Sequence, residues 1–554
     1  MRNTTTLLFA SLLTASTAAA QTALVREGSP LPGDPTYTVT SIGGVAVNQT
    51  GGYVAQVDVD DGNGVLDAIW GTTTPGAGDL LRLEGQVGNF IQNTLETTVA
   101  LSGTSVVYSA VSDSLITAST GLDGIWIDDT PFIVEEDPFN ATQFWSFGSR
   151  PRTTQNGTPV FVGGFSDTPS GPSVGRGFFI GTTAFYVSGD TVPGAPAPLS
   201  ANSVDFDTRA SANGTNNLAV LDIDTSSADD GLVAINGTAL TLGGTLVQES
   251  LPIPVSVGGL GENWDNFDFV GITESGDYAF SGDTDGPTTA DEFIVRNGVI
   301  VHREGDMLDG ETLTGSIELL QLNENNQLAF VWDILDPVGG GSVEALFFEG
   351  QLVLAEGDEV DWDGDGNLDA GFVVDSIGGL ESLALTPNGT IYVTADIDTN
   401  GGGNLEALLE IGNPGFGINY CMANPNSTGL IGVMSVAGSP VAADNDITLT
   451  ASNLPVGQFG IFVTSLTQDF MPNIGEGNLC LGGQIGRYQL ATQIQQVAPD
   501  GTFSLQIDTT FVPQGPGGVA IASGEVWNFQ GWHRDFVGGA PTSNFTDGLA
   551  IAFQ

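Results

Sequence analysis

The sequence contains no lysine, and its 11 basic residues are all arginine, against 66 acidic residues. The formal net charge of −55 opposes binding to the phosphates of nucleic acids and to anionic lipid headgroups, because such binding depends on basic side chains. The sequence therefore predicts that neither nucleic acid nor an anionic membrane is a partner.

Histidine and cysteine are almost as scarce, with two residues of each. Neither a CxxC pair nor an HExxH motif is present, which leaves almost no basis for zinc chemistry. A G-x-S-x-G motif at Gly171–Gly175 is typical of serine hydrolases, but it lies in a loop between two predicted strands and not in a strand-to-helix turn. Only His302 and His533 are available as a base, and His302 lies in an apolar strand, so serine hydrolysis is disfavoured.

Long apolar segments are missing after the first 20 residues. Residues 1–20 combine Met1-Arg2, an apolar run over Leu7–Leu13 and Ala18–Ala20, which is typical of a secretory signal peptide. Thr14–Thr17 interrupt the apolar run too early for a membrane anchor. We therefore expect a protein secreted to the extracellular space or the cell surface, without a transmembrane segment.

Glycine, in contrast, is abundant, with 78 of 554 residues. This is about twice its usual share and favours tight turns over long helices. Hydrophobic residues reach 40%, which is enough to form a substantial core. A chain of this length is expected to form more than one domain or one large repeat array.

A polar turn followed by an apolar strand recurs seven times. The recurrences begin at Asn48, Leu101, Gln155, Ala212, Glu274, Asn323 and Pro387. Asn-Gly and Ser-Gly between β-rich runs favour two-stranded hairpins, and a second hairpin follows at Asp291–Val301 and Glu344–Leu354. Four strands per repeat of about 40–50 residues or more are typical of β-propeller blades. The sequence predicts a seven-bladed β-propeller over residues 21–413, with an open row of hairpins as the alternative.

The two ends of the repeat array complement each other. The seventh repeat ends after its third strand, Glu406–Glu410, whereas Ala23–Gly28 resembles the missing fourth strand. We therefore expect the N-terminal strand to complete the last blade and close the ring, which removes two exposed sheet edges.

The repeat period disappears in residues 414–554. Short strands separated by Gly, Pro and Asn turns predict a small antiparallel β-sandwich domain in this region. In an oxidising compartment Cys421 and Cys480 are expected to form a structural disulfide. A reactive thiol pair is the alternative, but it lacks CxxC spacing and a basic neighbour.

These features resemble uncharacterised secreted bacterial β-propeller repeat proteins. The resemblance is carried by the N-x-x-G-x-x-x-F type of hairpin, the Glu-Gly-Asp corners such as Glu304–Asp306, and C-terminal stretches including Asn424–Gly429 and Asn478–Gly483. It covers nearly the whole mature chain. It implies an all-β fold and an extracellular location, but no activity.

One acidic segment has the spacing of a calcium loop. Residues 361–369 match D-x-D-x-D-G-x-x-D, in which alternate carboxylates converge on one hard cation. The candidate ligands are Asp361, Asp363, Asp365, Asn367 and Asp369. The segment resembles the calcium loops of dockerin and FG-GAP repeats, and a solvated acidic turn is the alternative. Looser versions occur at Asp58–Asp67 and Asp396–Asn400.

The densest aromatic and ionisable cluster lies near the C-terminus. It contains Trp527, Trp532, His533, Arg534 and Asp535. Tryptophans beside Arg and Asp are suited to stacking on sugar rings and bonding their hydroxyls. The alternative is a core strand whose tryptophans fill the sandwich while Arg534 pairs with an acid.

The sequence as a whole favours a secreted, non-enzymatic binding or surface-associated module with calcium-stabilised loops. Its partner is expected to be extracellular, either a polysaccharide or another surface protein. The second hypothesis is an extracellular polysaccharide-acting enzyme, a hydrolase or lyase, because propellers place functional loops around a central channel. Carboxylate pairs give no signal for this chemistry, since 66 acids supply some pair at any required separation.

Overall fold

The computed structural model describes residues 21–553 except 118, 202–206, 337–339, 366, 380, 400–401, 413–416, 422, 439–441, 443–444, 446, 499–500, 515–516, 523–524 and 538–539. The predicted signal peptide and the predicted domain boundary at 413/414 lie outside these residues. The chain divides into two compact units, Ala20–Asn413 and Pro414–Gln554. Within the described residues the chain is built from β-strands, and no helix has the length and apolarity needed to cross a membrane.

The first unit contains seven antiparallel sheets of four or five strands and a small two-stranded sheet. Its N-terminal strand is β1 (Gln21–Arg26). The first sheet has β2 (Thr38–Val47), β3 (Tyr53–Asp60), β4 (Val65–Thr72) and β5 (Asp79–Leu83). The second has β6 (Gly85–Val87), β7 (Phe90–Ser102), β8 (Ser105–Ser114), β9 (Leu122–Ile127) and β10 (Thr130–Val134). The third has β11 (Phe144–Thr153), β12 (Pro159–Ser166), β13 (Gly175–Ile180) and β14 (Thr183–Val187).

The remaining sheets of this unit follow in chain order. The fourth has β15 (Thr208–Ala210), β16 (Asn217–Asp222), β17 (Gly231–Ile235) and β18 (Thr238–Ala239), followed by the two-stranded β19 (Thr241–Leu242) and β20 (Thr245–Leu246). A 3₁₀ turn at Val255–Val257 precedes the fifth, with β21 (Trp264–Ile272), β22 (Tyr278–Thr284), β23 (Phe293–Arg296) and β24 (Val299–Arg303). The sixth has β25 (Met307–Leu308), β26 (Glu311–Leu322), β27 (Leu328–Leu335), β28 (Ser342–Phe348) and β29 (Gln351–Ala355). The seventh has β30 (Val373–Ile377), β31 (Leu383–Leu385), β32 (Ile391–Asp398) and β33 (Asn404–Ile411), with β1 at its edge.

Each of the seven predicted turns connects two antiparallel strands of one sheet. At every turn one residue has a positive φ, a conformation that glycine and asparagine adopt at little steric cost. These residues are Gly51, Gly103, Gly157, Gly214, Gly276, Asn326 and Gly389. The predicted hairpins are therefore present, although the second and sixth sheets carry an additional short strand and the first strand of the seventh is interrupted.

The strand before each repeated turn is called the leading strand here: β2, β7, β11, β15, β21, β26 and the pair β30/β31. Leading strands of most neighbouring sheets contact one another, including those of the seventh and first sheets, whereas the third and fourth sheets are joined through their shared hydrophobic cluster. Most of them carry a β-bulge, for example between Ile42 and Val45, between Leu95 and Val99 and between Phe267 and Val270. A bulge bends the strand and changes the direction of its side chains, so these positions are suited to carrying function.

Buried side chains connect the sheets in sequence. Seven hydrophobic clusters each contain residues from two consecutive sheets, and one of them joins the seventh sheet to the first. In that cluster Val25 and Leu408 pack with Val57 and Trp70. Each sheet therefore buries its two faces against the sheet before and the sheet after it, which suits the near-continuous burial of β3, β12 and β27.

The N-terminal strand completes the seventh sheet, as the sequence predicts. β1 lies antiparallel to β33, with Gln21 opposite Ile411 and Arg26 opposite Ala407. Alternate residues of β1 are buried, including Ala23 and Val25. The pairing satisfies the edge of β33, which would otherwise present unpaired backbone groups.

The Glu-Gly-Asp corners at Glu304 and Glu356 have one hydrogen bond in common with the glutamates at the corresponding corners of other sheets. The backbone N–H of the corner glutamate donates to a backbone carbonyl oxygen at the third strand of the sheet, counted from the leading strand, over 2.7–3.0 Å. The pairs are Glu84–Asp67, Glu135–Asp123, Glu249–Gly231, Glu304–Glu292, Glu356–Glu344 and Glu27–Glu406. Glu27 of the N-terminal segment thus occupies the position that the other corners predict for a seventh repeat.

The second unit has no repeat. Its largest sheet contains β34 (Ile418–Tyr420), β37 (Phe459–Ser465), β40 (Gly486–Arg487), β41 (Gln495–Gln496), β45 (Val526–Val537) and β46 (Ala540–Ala552). A three-stranded sheet contains β35 (Val433–Gly438), β36 (Ile447–Ser452) and β42 (Phe503–Ile507). Two hairpins are formed by β38 (Thr467–Ile474) with β39 (Gly477–Gly482) and by β43 (Val512–Gln514) with β44 (Gly517–Val519).

One core lies between the two larger sheets of the second unit. Ile447 and Leu449 of β36 belong to the same buried cluster as Trp527 and Phe529 of β45. Cys421, just after β34, is bonded to Cys480 of β39, with their Cα atoms 6.2 Å apart. The disulfide therefore ties the start of this unit to one of its hairpins.

Candidate functional site

The predicted calcium loop brings part of its ligand set together. Carboxylate oxygens of Asp361, Asp363 and Asp369 lie within 4.8 Å of one another. Asp365 does not belong to this group, and its Oδ1 accepts hydrogen bonds from the backbone N–H and the side-chain amide of Asn367, each over 2.9 Å. The loop thus presents three converging carboxylates from its four candidate aspartates.

Backbone N–H groups already hold the three carboxylates in place. Asp361 Oδ1 accepts from Gly364 over 2.9 Å and from Asp365 over 3.1 Å, and Asp369 Oδ2 accepts from Trp362 over 2.9 Å. Asp361 is fully buried, whereas Asp363 is exposed. This arrangement presents oxygen atoms of the kind that Ca²⁺ prefers.

The same loop is attached to the N-terminal strand. The backbone N–H of Asp361 donates to the carbonyl oxygen of Gln21, and Ala23 N–H donates to the carbonyl oxygen of Asp361, each over 3.0 Å. Thr22 Oγ1 donates to Asp361 Oδ2 over 3.2 Å. The Arg26 guanidinium lies over the Trp362 ring, 5.6 Å from its centroid. The loop therefore packs against the strand that completes the seventh sheet.

The two looser acidic motifs form no comparable group among the described residues. Asp60 and Asp61 accept backbone N–H groups of Gly62 and Asn63 within a tight turn. Asp396 Oδ2 accepts from Ser376 Oγ over 3.0 Å, and Asn400 lies outside the described residues. Asp58 and Asp67 stand directly opposite each other on β3 and β4.

A second acidic group was not predicted. Asp268, Asp283 and Glu292 of the fifth sheet have carboxylate oxygens within 4.8 Å of one another. Burial raises the pKa of Asp268 to about 7 and that of Glu292 to about 10, and the charge of Asp283 raises both further. The residues are up to 24 positions apart in the sequence, so no local motif marks them.

Similar carboxylate pairs recur in other sheets and have a structural role there. Asp333 stands opposite Glu344, and Asp396 opposite Glu406. One carboxylate of each pair lies on the third strand of its sheet, counted from the leading strand. This carboxylate accepts a hydrogen bond from a backbone N–H of the leading strand of the next sheet. These bonds run from Leu95 to Asp67, from Ile377 to Glu344 and from Ile42 to Glu406. Paired carboxylates therefore join neighbouring sheets at these three places.

A third charged group contains arginines of the third and fourth sheets. Arg152 of β11 donates to both carboxylate oxygens of Glu381, over 2.6 and 2.7 Å, and its Nη2 lies 3.5 Å from Asp207 Oδ1. Arg209 of β15 forms a salt bridge with the same oxygen of Asp207. Burial opposes the charge of Glu381, but Arg152 and Arg209 outweigh it and lower its pKa to about 2. No local sequence motif marks this group, because its members come from three separate repeats.

The predicted C-terminal cluster is divided between two faces of β45. Trp527 is fully buried in the core, and its Nε1 donates to Glu525 Oε2 over 3.0 Å. His533 and Asp535 are also buried, whereas Arg534 is exposed and Trp532 is half-buried. The five candidate residues therefore do not form one surface.

The buried members of this cluster have internal roles or no polar partner. Burial lowers the pKa of His533, and its Nε2 has no hydrogen-bond partner. Burial opposes ionisation of Asp535, but hydrogen bonds from Ser427, Phe536 and Asn544 outweigh it and lower the pKa. Among the described residues Arg534 forms no salt bridge, so the alternative in which it pairs with Asp535 is not observed.

The exposed members belong to an aromatic surface strip. Trp532, Arg534 and Phe536 alternate along β45 and line a surface hollow to which the largely buried Asp535 also contributes, together with residues such as Gln458 and Ser543. Phe536 has 40% of its surface exposed, and Arg534 stands opposite Ser543 of β46. The term aromatic strip is used below for Trp532, Arg534 and Phe536.

The G-x-S-x-G segment forms no catalytic arrangement. Ser173 Oγ donates to the carbonyl oxygen of Gly175 over 3.0 Å, in a loop that leads into β13. His302 lies on β24 of a different sheet, where burial lowers its pKa to about 4.

Comparison with family models gives no match, and comparison with curated proteins gives none either. Among solved structures, the chain is similar to the Dos1 propeller, with 8% identity and a TM-score of 0.30, over 67% of this chain and 77% of that chain. It is also similar to the Bombyx mori GH32 β-fructofuranosidase BmSUC1, with 9% identity and a TM-score of 0.20, over 96% of this chain and 93% of that chain. Scores this low carry no argument about function, so the conclusions below depend on the described residues.

Proposed function

We propose that the protein is a secreted, non-enzymatic binding protein whose first unit is a seven-bladed β-propeller closed by β1. Two observations support the ring. Seven hydrophobic clusters connect the sheets in order and return from the seventh to the first. β1 supplies the outer strand of the seventh sheet.

The second unit is proposed to be a β-sandwich that carries the ligand site. The core shared by its six-stranded and three-stranded sheets supports this architecture. The disulfide between Cys421 and Cys480 is compatible with an extracellular location, because such bonds persist in oxidising compartments.

The observation that carries the binding function is the aromatic strip. Trp532, Arg534 and Phe536 offer two apolar rings and one cation on a single face of a rigid strand. Aromatic rings of this kind stack on the apolar faces of sugar rings, and a guanidinium bonds hydroxyl groups. The proposed ligand is an extracellular polysaccharide, with a surface protein as the other outcome of the test.

The test is an array of polysaccharides and extracellular surface proteins probed with the full chain. Phe536→Ala and Arg534→Gln are expected to weaken binding at least about tenfold, because each removes a direct contact. Phe511→Ala is a matched control, since Phe511 is an exposed phenylalanine of the same unit outside the strip. Binding that survives both strip substitutions, or no binding to any polymer or surface protein, would overturn the proposal.

Calcium is proposed to bind the loop at residues 361–369. The support is the D-x-D-x-D spacing together with the convergence of Asp361, Asp363 and Asp369. Position 12 of the loop is Phe372 and supplies no carboxylate, so we expect weak binding, with Kd about 10⁻⁴ to 10⁻³ M.

A calcium titration of thermal unfolding tests this proposal. Because an ion that binds only the folded state stabilises it, about 10 mM calcium should raise Tm measurably. Asp363→Asn combined with Asp369→Asn should remove this increment, whereas Asp60→Asn combined with Asp61→Asn should retain it. Equal stabilisation of all three proteins would mean that the loop is only a solvated acidic turn.

One observation favours an extracellular polysaccharide-acting enzyme as the second candidate. Carboxylate oxygens of Asp268, Asp283 and Glu292 lie within 4.8 Å of one another, and burial raises the pKa of Asp268 to about 7. A carboxyl group with a raised pKa beside another carboxyl group is typical of a general acid. The polymers that bind in the array should therefore also be assayed for cleavage, and loss of cleavage in Asp268→Asn would support the enzyme.

A further inference from the structure

The distribution of arginine in the first unit is uneven. The whole chain has 11 arginines, yet Arg150 and Arg152 lie on β11 and Arg209 lies on β15, the leading strands of adjacent sheets. Burying several charges together costs free energy, and apolar residues of similar volume often stabilise a fold equally well or better. A concentration of the scarce cations at one place is therefore better explained by binding than by stability.

The group lies in the space that the leading strands enclose. Glu381, which pairs with Arg152, belongs to the seventh sheet, and Arg152 belongs to the third. These two sheets are not consecutive in the order of the hydrophobic clusters, so an ion pair between them crosses the centre of the unit. Asp207 Oδ2 also accepts the N–H of Val270 from the fifth sheet, over 3.0 Å.

The backbone is strained at two members of this group. Arg150 has φ 52° and Glu381 has φ 66°, a region that L-residues other than Asn and Asp rarely adopt. Arg150 lies within the β-bulge between Ser149 and Arg152. Strain and bulges of this kind are retained preferentially where a site must be positioned.

Arg209 has an open hydrogen-bonding edge. Its Nη1 pairs with Asp207 and donates to the carbonyl oxygen of Thr208. Within the described part of the chain, Nε and Nη2 have no acceptor, although 13% of the side chain is exposed. The Nε–Nη2 edge is a planar fork that matches the two oxygens of a carboxylate.

Arg209 lies among charges of both signs, and the nearby guanidinium of Arg152 repels it. Burial lowers the pKa of Arg209, and Arg152 lowers it further against the opposing effect of Asp207 and Glu381. An anion at the open edge would relieve this repulsion. The net charge of −55 opposes anions at long range, but salt screens surface charges beyond about 8 Å at physiological ionic strength.

We propose that Arg209 binds the carboxylate of an acidic saccharide inside the ring of leading strands, with Asp207 and Glu381 placed to accept hydrogen bonds from its hydroxyl groups. A uronic acid combines the required groups, namely one carboxylate and several neighbouring hydroxyls. This site is distinct from the aromatic strip, which lies in the second unit.

The experiment is isothermal titration calorimetry of the full chain with tri-galacturonate. The buffer is freed of calcium by a chelating resin, so that no calcium ion can bridge the ligand to the acidic loop at residues 361–369. Wild-type protein should bind tri-galacturonate and should bind neutral galactotriose at least about tenfold more weakly. Arg209→Gln should lose at least about tenfold in affinity, and Arg209→Lys should lose less, because lysine keeps the charge but not the fork.

Arg82→Gln is the matched control, since Arg82 is a half-buried, salt-bridged arginine elsewhere in the same unit. It should leave binding unchanged, and circular dichroism should confirm that each variant is folded. The proposal is overturned if wild-type protein shows no binding at about 10 mM tri-galacturonate, if galactotriose binds equally well, or if folded Arg209→Gln or Arg209→Lys binds like wild type. Acetate is tested in parallel. Equal affinity for acetate would mean that the site recognises a carboxylate but not a saccharide, and this result would also overturn the proposal.

Discussion

Single asparagine side chains in the repeated turns connect one sheet to the next. Asn48 Oδ1 accepts the N–H groups of Thr50 and Gly52, while Nδ2 donates to carbonyl oxygens of Thr73 and Gly103. Asn323 repeats this arrangement, with Nδ2 donating to Thr386 of the following sheet over 2.8 Å. Both asparagines are buried, so each satisfies backbone groups that water does not reach.

The first prediction concerns this residue type. Asn48→Ala should lower the free energy of unfolding by about 2–3 kcal/mol, because it leaves several buried backbone groups without partners. Asn63→Ala is the control, since Asn63 is exposed and its loss should change stability by less than about 0.5 kcal/mol. Urea unfolding followed by fluorescence measures both, and equal effects would show that the turn asparagine has no connecting role.

Sequence reasoning reached residues that act within one local segment and missed those that act across repeats. The acidic loop was recognisable because Asp361, Asp363 and Asp369 belong to one short motif. The group of Arg152, Asp207 and Glu381 has no such spacing, since only the ring of sheets brings these residues together. For the C-terminal cluster a signal was present: period-two alternation places Trp532 and Arg534 on one face of a strand and His533 and Asp535 on the other.

At the scale of strands, β1 is the element that connects the two ends of the array. Val25 is fully buried, and the segment contacts both β33 and the loop around Asp361. The displaced strand was predictable because the seventh repeat lacks its fourth strand and the N-terminal segment matches it. The bulges in the leading strands were not predictable, since their position depends on packing between sheets and not on a local residue pattern.

The second prediction concerns this closure. Deleting residues 21–33 should lower Tm and produce oligomers in size-exclusion chromatography, because the edge of β33 becomes available for pairing with another chain. A synthetic peptide of residues 21–33 should restore the monomer and raise Tm. Val25→Ala should cost about 2 kcal/mol and Thr22→Ala less than about 1 kcal/mol, since only Val25 is fully buried. An unchanged, monomeric deletion variant would contradict the role assigned to β1.

Partly buried carboxyl groups with raised pKa values occur in several sheets of the first unit. Burial raises the pKa of Asp67 to about 6 and those of Glu249 and Asp268 to about 7. In the unfolded chain the same groups titrate near 4. The folded state therefore binds more protons than the unfolded state between about pH 4 and pH 7, and this difference fixes the direction of the pH dependence.

The third prediction follows from this sign. Stability should increase as the pH falls from 8 to 5, because groups with a raised folded pKa stabilise the fold when protonated and lose this contribution as the pH rises through that pKa. Below about pH 4 the trend should reverse, since the pKa of Glu381 is lowered to about 2 and its ion pairs with Arg152 and Arg209 are lost on protonation. Urea midpoints measured from pH 3 to pH 8 at constant ionic strength in calcium-free buffer test both the rise and the reversal.

Asp268→Asn should raise stability at pH 8 and flatten the pH dependence of stability above pH 5, because an amide cannot ionise. Asp167→Asn, at an exposed position, should leave the pH dependence unchanged. A midpoint that decreases steadily from pH 8 to pH 5 would show that the buried carboxyl groups do not share protons in the folded protein and that a cation or a rearrangement compensates their charge.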